Sequence, residues 1–251
     1  MFADKAVLIT GAGRGLGQAT AAAFVAAGAR VAINDLERRD VERAMQALGS
    51  VAGLAAAPGD VASVAGCEAA VGAAVEAFGR LDVLVNNAGV FSSASIGETD
   101  ESLWDFIVDV ILKGTFFCSR AALPELRRSR GTIVNIASEN GLRGGVNVAA
   151  YSAAKAGVIN LTRAQALELA PEVRANCICP GTIDTEMTRE SATAAGDVEA
   201  ALRRYAQAAP LQRIATPGEV ANAVLFLASP SSSFVTGAVL SVDGGSMAGR
   251  R

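Results

Sequence analysis

Tyr151 and Lys155 stand four residues apart in the stretch Tyr151-Ser152-Ala153-Ala154-Lys155. On a helix this spacing sets a phenol and an ammonium on one face. A phenol titrates near 10 in isolation, and a neighbouring cation favours the phenolate and lowers that value. The pair is therefore a way to make a general base near neutrality without an imidazole. Alone such a pair is usually a surface or packing feature, so its meaning depends on what shares the site. The 251-residue chain has no histidine at all. Serine–histidine triads, histidine metal sites and imidazole proton shuttles are thereby excluded. Proton chemistry must fall to Asp, Glu, Lys, Tyr, Cys or water.

A second group of residues could hold phosphate. In Thr10-Gly11-Ala12-Gly13-Arg14-Gly15-Leu16-Gly17 the glycines allow a tight turn and a close backbone approach to a pyrophosphate, ahead of a helix N-terminus. An ordinary strand–helix turn has the same look, and the spacing is G-x-x-x-G-x-G. Asp35 follows about 20 residues on, where a ribose-binding acid belongs. Its carboxylate would accept hydrogen bonds from ribose hydroxyls and repel a 2′-phosphate, favouring NAD over NADP. Arg14, Arg38 and Arg39 are possible counterweights. Cys177 and Cys179 form a C-x-C pair in an apolar run, but without histidine or a second close pair the expectation is no metal, only small buried residues.

These residues need elements to position them. Short apolar runs at Ala6–Thr10, Arg30–Asn34, Gly53–Ala57, Leu81–Asn86, Thr132–Ala137, Val173–Cys179 and Ala238–Val242 read as strands. Helical periods fall at Gly15–Ala27, Arg38–Leu48, Ser63–Phe78, Glu101–Leu123, Tyr151–Ala170 and Pro217–Ala228. Such alternation implies a single α/β domain with a doubly wound parallel sheet. Ligands then bind beyond the carboxyl ends of the strands, where small and polar residues do cluster: Gly59-Asp60-Val61, Asn86-Asn87-Ala88-Gly89, Ala137-Ser138 and Cys179-Pro180-Gly181-Thr182. The stretch 186–209 reads as a less regular, mobile insertion covering the substrate. A net charge of −3 gives no reason to expect nucleic acid or an anionic membrane as partner. No leader is visible and no apolar run reaches the roughly 18 residues of a spanning helix, so a cytoplasmic protein is expected.

In order, Thr10-Gly11-x-x-x-Gly15-x-Gly17, Asp60, Asn86-Asn87-Ala88-Gly89, Ser138, Tyr151-x-x-x-Lys155 and Pro180-Gly181 resemble the short-chain dehydrogenase/reductase family across essentially the whole chain. Val235-Thr236-Gly237 and Asp243-Gly244-Gly245 resemble its ending. The resemblance implies a Rossmann-like fold and a homotetramer packed through long helices and the C-terminal region. It implies that Tyr151 exchanges a proton with an alcohol or ketone, that Lys155 binds nicotinamide-ribose hydroxyls and lowers the Tyr151 pKa, and that Ser138 bonds the substrate oxygen. Gly11, Arg14, Gly15 and Leu16 would border the pyrophosphate. Asp60 and Val61 would contact adenine, Asn87 and Gly89 would line the cofactor path, and Pro180, Ile183 and Thr185 would flank the nicotinamide.

One position departs from the family pattern. Asp109-Val110-Ile111-Leu112-Lys113-Gly114-Thr115 resembles the V-N-x-x-G helix, with Ile111 where a catalytic asparagine is expected. The asparagine helps hold the water that connects the lysine to solvent, partly through its carbonyl, and isoleucine keeps only the carbonyl. Two rivals accompany the small-molecule alcohol dehydrogenase reading. One is a 3-ketoacyl-carrier reductase docking its acidic carrier on Arg127, Arg128 and Arg130. The other is a cofactor-binding scaffold that has lost turnover through Ile111. The pocket rim is expected at 139–148 and 183–209, with Glu139, Asn140, Asn147 and Glu186 among Leu142, Val146, Val148, Met187 and Tyr205.

Overall fold

All seven expected strands form, within two residues of the expected bounds. The computed structural model describes residues 2–49 and 53–249. Strands β1 (Ala6–Ile9), β2 (Arg30–Ile33), β3 (Leu54–Ala56), β4 (Val83–Asn86), β5 (Thr132–Ile136), β6 (Arg174–Pro180) and β7 (Val239–Val242) make one parallel sheet in the order 3-2-1-4-5-6-7. Ile9 pairs with Ile33 on one side and with Val85 on the other. Parallel neighbours need crossover connections, and these are the helices α1 (Gly15–Ala26), α2 (Arg38–Leu48), α3 (Val64–Phe78), α4 (Glu101–Val108), α5 (Gly114–Ser129), α6 (Ala149–Leu169), α7 (Glu186–Ala194), α8 (Val198–Ala208) and α9 (Pro217–Ala228).

The alternation of side chains along each strand divides the core into two layers. Val7, Ile9, Val31, Ile33, Val83 and Val85 pack under α1, α2 and α9. Leu8, Ala32, Leu84 and Ile133 face the other way onto α3 and α5. Cys177 and Cys179 continue that second layer beside Ile107 of α4 and Ala154 and Val158 of α6. All four cysteines are buried free thiols, as small core residues would be.

Two elements differ from the sequence reading. The helix expected over Glu101–Leu123 is broken by a π-helical turn, Asp109–Lys113, and then runs on to Ser129. The Thr115 hydroxyl donates to the Ile111 carbonyl at 2.6 Å, holding the wide turn. Pro124 lies inside α5, and burial of Ala122 and Leu126 around it keeps the helix going. The stretch 186–209 is regular, not irregular. Thr185 and Asp197 cap α7 and α8, and Gly196 supplies the positive φ of 91° between them.

The crossing from β1 into α1 leaves no room for side chains. Gly11 sits at φ 61°, where a Cβ would lie 2.7 Å from the Ala88 Cα. A Cβ at Gly17 would lie 2.6 Å from the Asn87 amide nitrogen and closer still to the Gly11 carbonyl. Gly72, on the exposed face of α3, has nothing within 4 Å. Gly17→Ala should therefore destabilise the fold by about 3 kcal/mol through overpacking. Gly72→Ala should stabilise it by up to about 1 kcal/mol through helix propensity. Urea unfolding of both variants checks the pair, and equal midpoints would contradict this account of the junction.

Candidate active site

The strand order turns back between β1 and β4, so the loops leaving their carboxyl ends diverge and open a crevice. Those loops are tied together at its floor. The Thr10 hydroxyl accepts the amides of Asn87 and Ala88, both at 3.0 Å. The Asn87 side chain donates to the carbonyls of Thr10 and Gly11, both at 2.9 Å. Asn87 thus braces the glycine loop, and two residues later a Cβ on Gly89 would stand 3.6 Å from Lys155 Nζ.

The N-terminus of α1 lacks a side-chain cap, as do those of α2, α5 and α6. Ser63, Asp100, Thr185, Asp197 and Thr216 cap α3, α4, α7, α8 and α9 with their side chains. At α1, Arg14 offers no cap and the first turn holds no acid. Its free amides and positive dipole end suit an anion. Asp35 borders the same loop, accepting from Gly13 N at 2.9 Å on one oxygen and from Leu36 N at 2.8 Å on the other. Each carboxylate oxygen keeps acceptor capacity for a ribose hydroxyl. At the end of β3, Asn34 donates to the carbonyls of Ala57 and Gly59, and Asp60 accepts from Ala62 N at 2.9 Å. An uncapped helix end, a cradle a Cβ would fill and two acids at adjacent strand ends fit a dinucleotide.

Across the crevice, a Cβ on Gly15 would meet the Thr185 methyl at 3.5 Å. Ile183 lies two residues before Thr185, and its carbonyl accepts from the Thr188 hydroxyl at 2.6 Å. Leu16 is buried beneath the loop, and Val61 is buried beside the β3 end. Pro180 closes β6. Arg14 stays beside the glycine loop, and its guanidinium pairs with Glu190 of α7 at 2.9 Å, both side chains being exposed. It joins the glycine loop to α7 because that helix lies directly opposite.

Ser138, Tyr151 and Lys155 meet at the ends of β5 and α6. The Ser138 hydroxyl oxygen accepts from Asn140 N at 3.1 Å, and the Ser138 side chain favours the Tyr151 phenolate. Lys155 is 4% exposed, donates from Nζ to the Ile136 carbonyl at 2.8 Å, and lies 5.8 Å from the centre of the Tyr151 ring. A Cβ on Gly141 would be 2.7 Å from the Lys155 carbonyl carbon, so glycine lets the turn after Ser138 lie flat on α6.

Burial pushes the Tyr151 phenol above its usual value, with Ser138 pulling it down and the Glu139 charge pushing it further up. Burial pushes Lys155 down to about 8, opposed by Cys177 and Cys179. The expectation that Lys155 lowers the phenol is not met here. Helical spacing put both groups on one face, but the ammonium is drawn to the Ile136 carbonyl and desolvation dominates both titrations.

Comparison with known proteins agrees with this architecture. The family profile described as Enoyl-(Acyl carrier protein) reductase matches residues 11–247. Trans-4-hydroxycyclohexanecarboxylate dehydrogenase of Sinomonas cyclohexanicum is 42% identical over 98% of this chain and 94% of its own. Meso-2,3-butanediol dehydrogenase of Serratia marcescens is 40% identical over 98% and 96%. The crystal structure of levodione reductase superposes with a TM-score of 0.95 at 35% identity, covering 100% of both chains. The chain belongs to the short-chain dehydrogenase/reductase family. It is an oxidoreductase acting on CH–OH groups, of a family that uses nicotinamide cofactors.

Some residues of this dehydrogenase/reductase site were not singled out from the sequence. Phe91 meets the Tyr151 ring edge-on, with centroids 5.2 Å apart. Its only sequence signal is a place two residues after Gly89. A buried polar chain also runs behind the site. The Ser119 hydroxyl donates to Thr115 O at 2.7 Å, and Asn86 donates to Ser119 and to Asn135. Asn135 in turn donates to Thr162 and Gln165. Ile111 lies beside this chain, 1% exposed, in the cluster with Ile107, Ala154 and Val158. Among the described residues, no helix is long and apolar enough to cross a membrane.

The folded pKa of Lys155 lies below its ordinary 10.5, so between about pH 8 and 10.5 the unfolded chain binds more protons and stability rises with pH. The gain is on the order of 3 kcal/mol. Tyr151, raised above 10.0, opposes it in the upper part of that window. Denaturant unfolding of the protein without ligands should show this rise, and Lys155→Met should flatten it. A Lys155→Met curve parallel to that of the wild type would contradict the assigned burial cost.

Proposed function

We propose that this protein is an NAD(H)-dependent oxidoreductase interconverting a secondary alcohol and a ketone, with Tyr151 as general acid/base. The observation that carries the reading is the convergence of the Ser138 hydroxyl, the Tyr151 phenol and the Lys155 ammonium beside the crevice. Gly11, Gly15, Leu16 and the free amides of α1 would hold the diphosphate, and Arg14 would close over it from its pair with Glu190. Asp35 would take the adenosine ribose hydroxyls, Asp60 and Val61 the adenine. Asn87 and Gly89 would line the path, with Pro180, Ile183 and Thr185 beside the nicotinamide. That nicotinamide, when bound, supplies the hydride acceptor or donor.

The chain's own residues manage the proton. Ser138 accepts the Asn140 amide through its oxygen, and its O–H would turn from Tyr151 to donate to the substrate oxygen. Tyr151, as phenolate, takes the proton of the substrate hydroxyl during oxidation; as phenol it returns one during reduction. Lys155 keeps two N–H donors beyond its bond to Ile136 for ribose hydroxyls, which would orient the ring and carry protons onward. Lys155 would hold the nicotinamide ribose through its hydroxyls, from a position 5.8 Å from the centre of the Tyr151 ring. The helices α7 and α8 would cover the substrate. A homotetramer, as the family resemblance implies, working in the cytoplasm completes the proposal.

The choice of NAD rests on Asp35, whose fixed carboxylate would face a 2′-phosphate. The carrier-protein rival is weakened because Arg128 is paired with Glu125 on its own helix. An initial-rate screen of secondary alcohols should favour NAD over NADP by at least about tenfold. Tyr151→Phe should lose roughly a hundredfold or more in kcat. A preference for NADP would revive the carrier reductase, and cofactor binding without any turnover would favour a scaffold. Activity surviving in Tyr151→Phe would refute the base.

Ile111→Asn tests the relay. Restoring the amide should raise kcat with little change in cofactor affinity. It also buries an amide in an apolar cluster, so stability should fall by about 2 kcal/mol. An equal or lower kcat would show that backbone and water already suffice.

A further inference from the structure

The guanidinium that would meet the diphosphate already holds an anion. Arg14 is the only charged residue between Thr10 and Gly17, and its Nη1 donates to Oε1 of Glu190 at 2.9 Å. Glu190 stands on α7, and a second acid of that helix faces the same place. A Cβ on Gly15 would lie 3.7 Å from the Glu186 carboxylate, and Gly15 opens α1. Glu186 is thus close to the free amides of that helix end. The one base on α7, Arg189, is turned to Asp184 at 2.8 Å. Two carboxylates of α7 therefore face the loop where a diphosphate would lie, and the base of that helix is engaged elsewhere.

The helix that carries them is held at both sides. Thr185 caps it, and the Thr188 hydroxyl donates to the Ile183 carbonyl at 2.6 Å. Ser191 is joined to Tyr205 of α8 at 3.3 Å. The Arg14–Glu190 pair is the weak joint. Its side chains are 54% and 61% exposed, and an ion pair in water is worth little. A phosphate oxygen pair matches a guanidinium fork and can displace a carboxylate from it. A cavity of about 580 Å³ between α1 and α7, lined by Gly15, Gln18 and Glu186 among others, leaves the acids room to turn away.

We infer that Glu190 sets cofactor affinity by competing with the diphosphate for Arg14. The inference rests on the dinucleotide reading above. Without ligand, the acid of α7 stands where a phosphate would be; binding exchanges one anion for the other at the guanidinium. Glu190, once released, and Glu186 then lie near a bound anion, and like charges repel. Binding is loosened, and the cofactor breaks a contact between the glycine loop and α7. Had Glu190 served to hold Arg14 ready for phosphate, removing its charge would weaken binding instead. The sign of the effect separates the two.

Calorimetric titration of the intact protein with NADH, ADP and adenosine provides the test, with no turnover required. Glu190→Gln keeps the side-chain shape and removes the charge. It should bind NADH and ADP about three- to fivefold more tightly than wild type at low salt. Adenosine, which lacks the diphosphate, should bind the two proteins equally. The gain should shrink at about 0.5 M salt, where surface charges are screened. It should vanish when Arg14→Gln is added. Unchanged or weaker NADH binding in Glu190→Gln overturns the inference, as does an equal gain for adenosine or a full gain without Arg14. Both side chains are exposed, so neither substitution should disturb the fold. Failure of wild type to bind NADH at all would defeat the dinucleotide reading and this inference together, whereas binding without the Glu190 effect defeats this inference alone.

Discussion

Lys155 keeps an ammonium out of water against one backbone carbonyl, that of Ile136. Burying a charge with so few partners is expensive, and the surrounding structure has to hold it there. Gly89 and Gly141 are both part of that enclosure: one lies near Nζ, the other against the backbone of the lysine itself. Ile136 is the last residue of β5, so the carbonyl is fixed by the sheet while the next two residues lead to Ser138. The ion, its acceptor and the hydroxyl are consequently set by one strand end. Tyr151 follows because it shares a helix with Lys155.

The crevice on the other side rests on close backbone approach. Gly11 and Gly17 bring the β1 loop against the β4 loop, and the Thr10–Asn87 bonds fasten them. The two halves connect through the four-residue stretch from Asn86 to Gly89. Asn86 binds the buried polar chain under α5 and α6, Asn87 binds the glycine loop, and Gly89 reaches the lysine. A shift of this segment would move the dinucleotide cradle and the proton-handling groups together.

Strands and most helices were legible because their signals are local. β-branched runs, glycine stops and helical periods do not depend on partners. The π turn was not legible, since Thr115 bonding back to Ile111 is a matter of side-chain geometry inside an otherwise good helical period. The helices in 186–209 were missed because their apolar content is low and their caps, Thr185 and Asp197, look like loop residues. Motif residues at the strand ends were found, yet their bonding was not: Arg14 meets Glu190, 176 residues away, and Asn87 faces the loop. Phe91 and Ser246 lie in no motif, and only folding brings them to Tyr151 and Glu139.

Ile111 illustrates why type alone misleads at such a place. Read along the chain, it is a polar residue lost. In the fold it lies within a consistent apolar cluster, with Ile107 one turn before it and Ala154 and Val158 across from it on α6. The polar chain of Thr115, Ser119, Asn86 and Asn135 begins at its carbonyl and runs away from the site. An amide added at 111 would have to displace that packing or take a place in that chain. Whatever route protons take from Lys155, the side chain at 111 offers no group to carry them. Backbone carbonyls and water are what remain, in a protein with no imidazole to substitute.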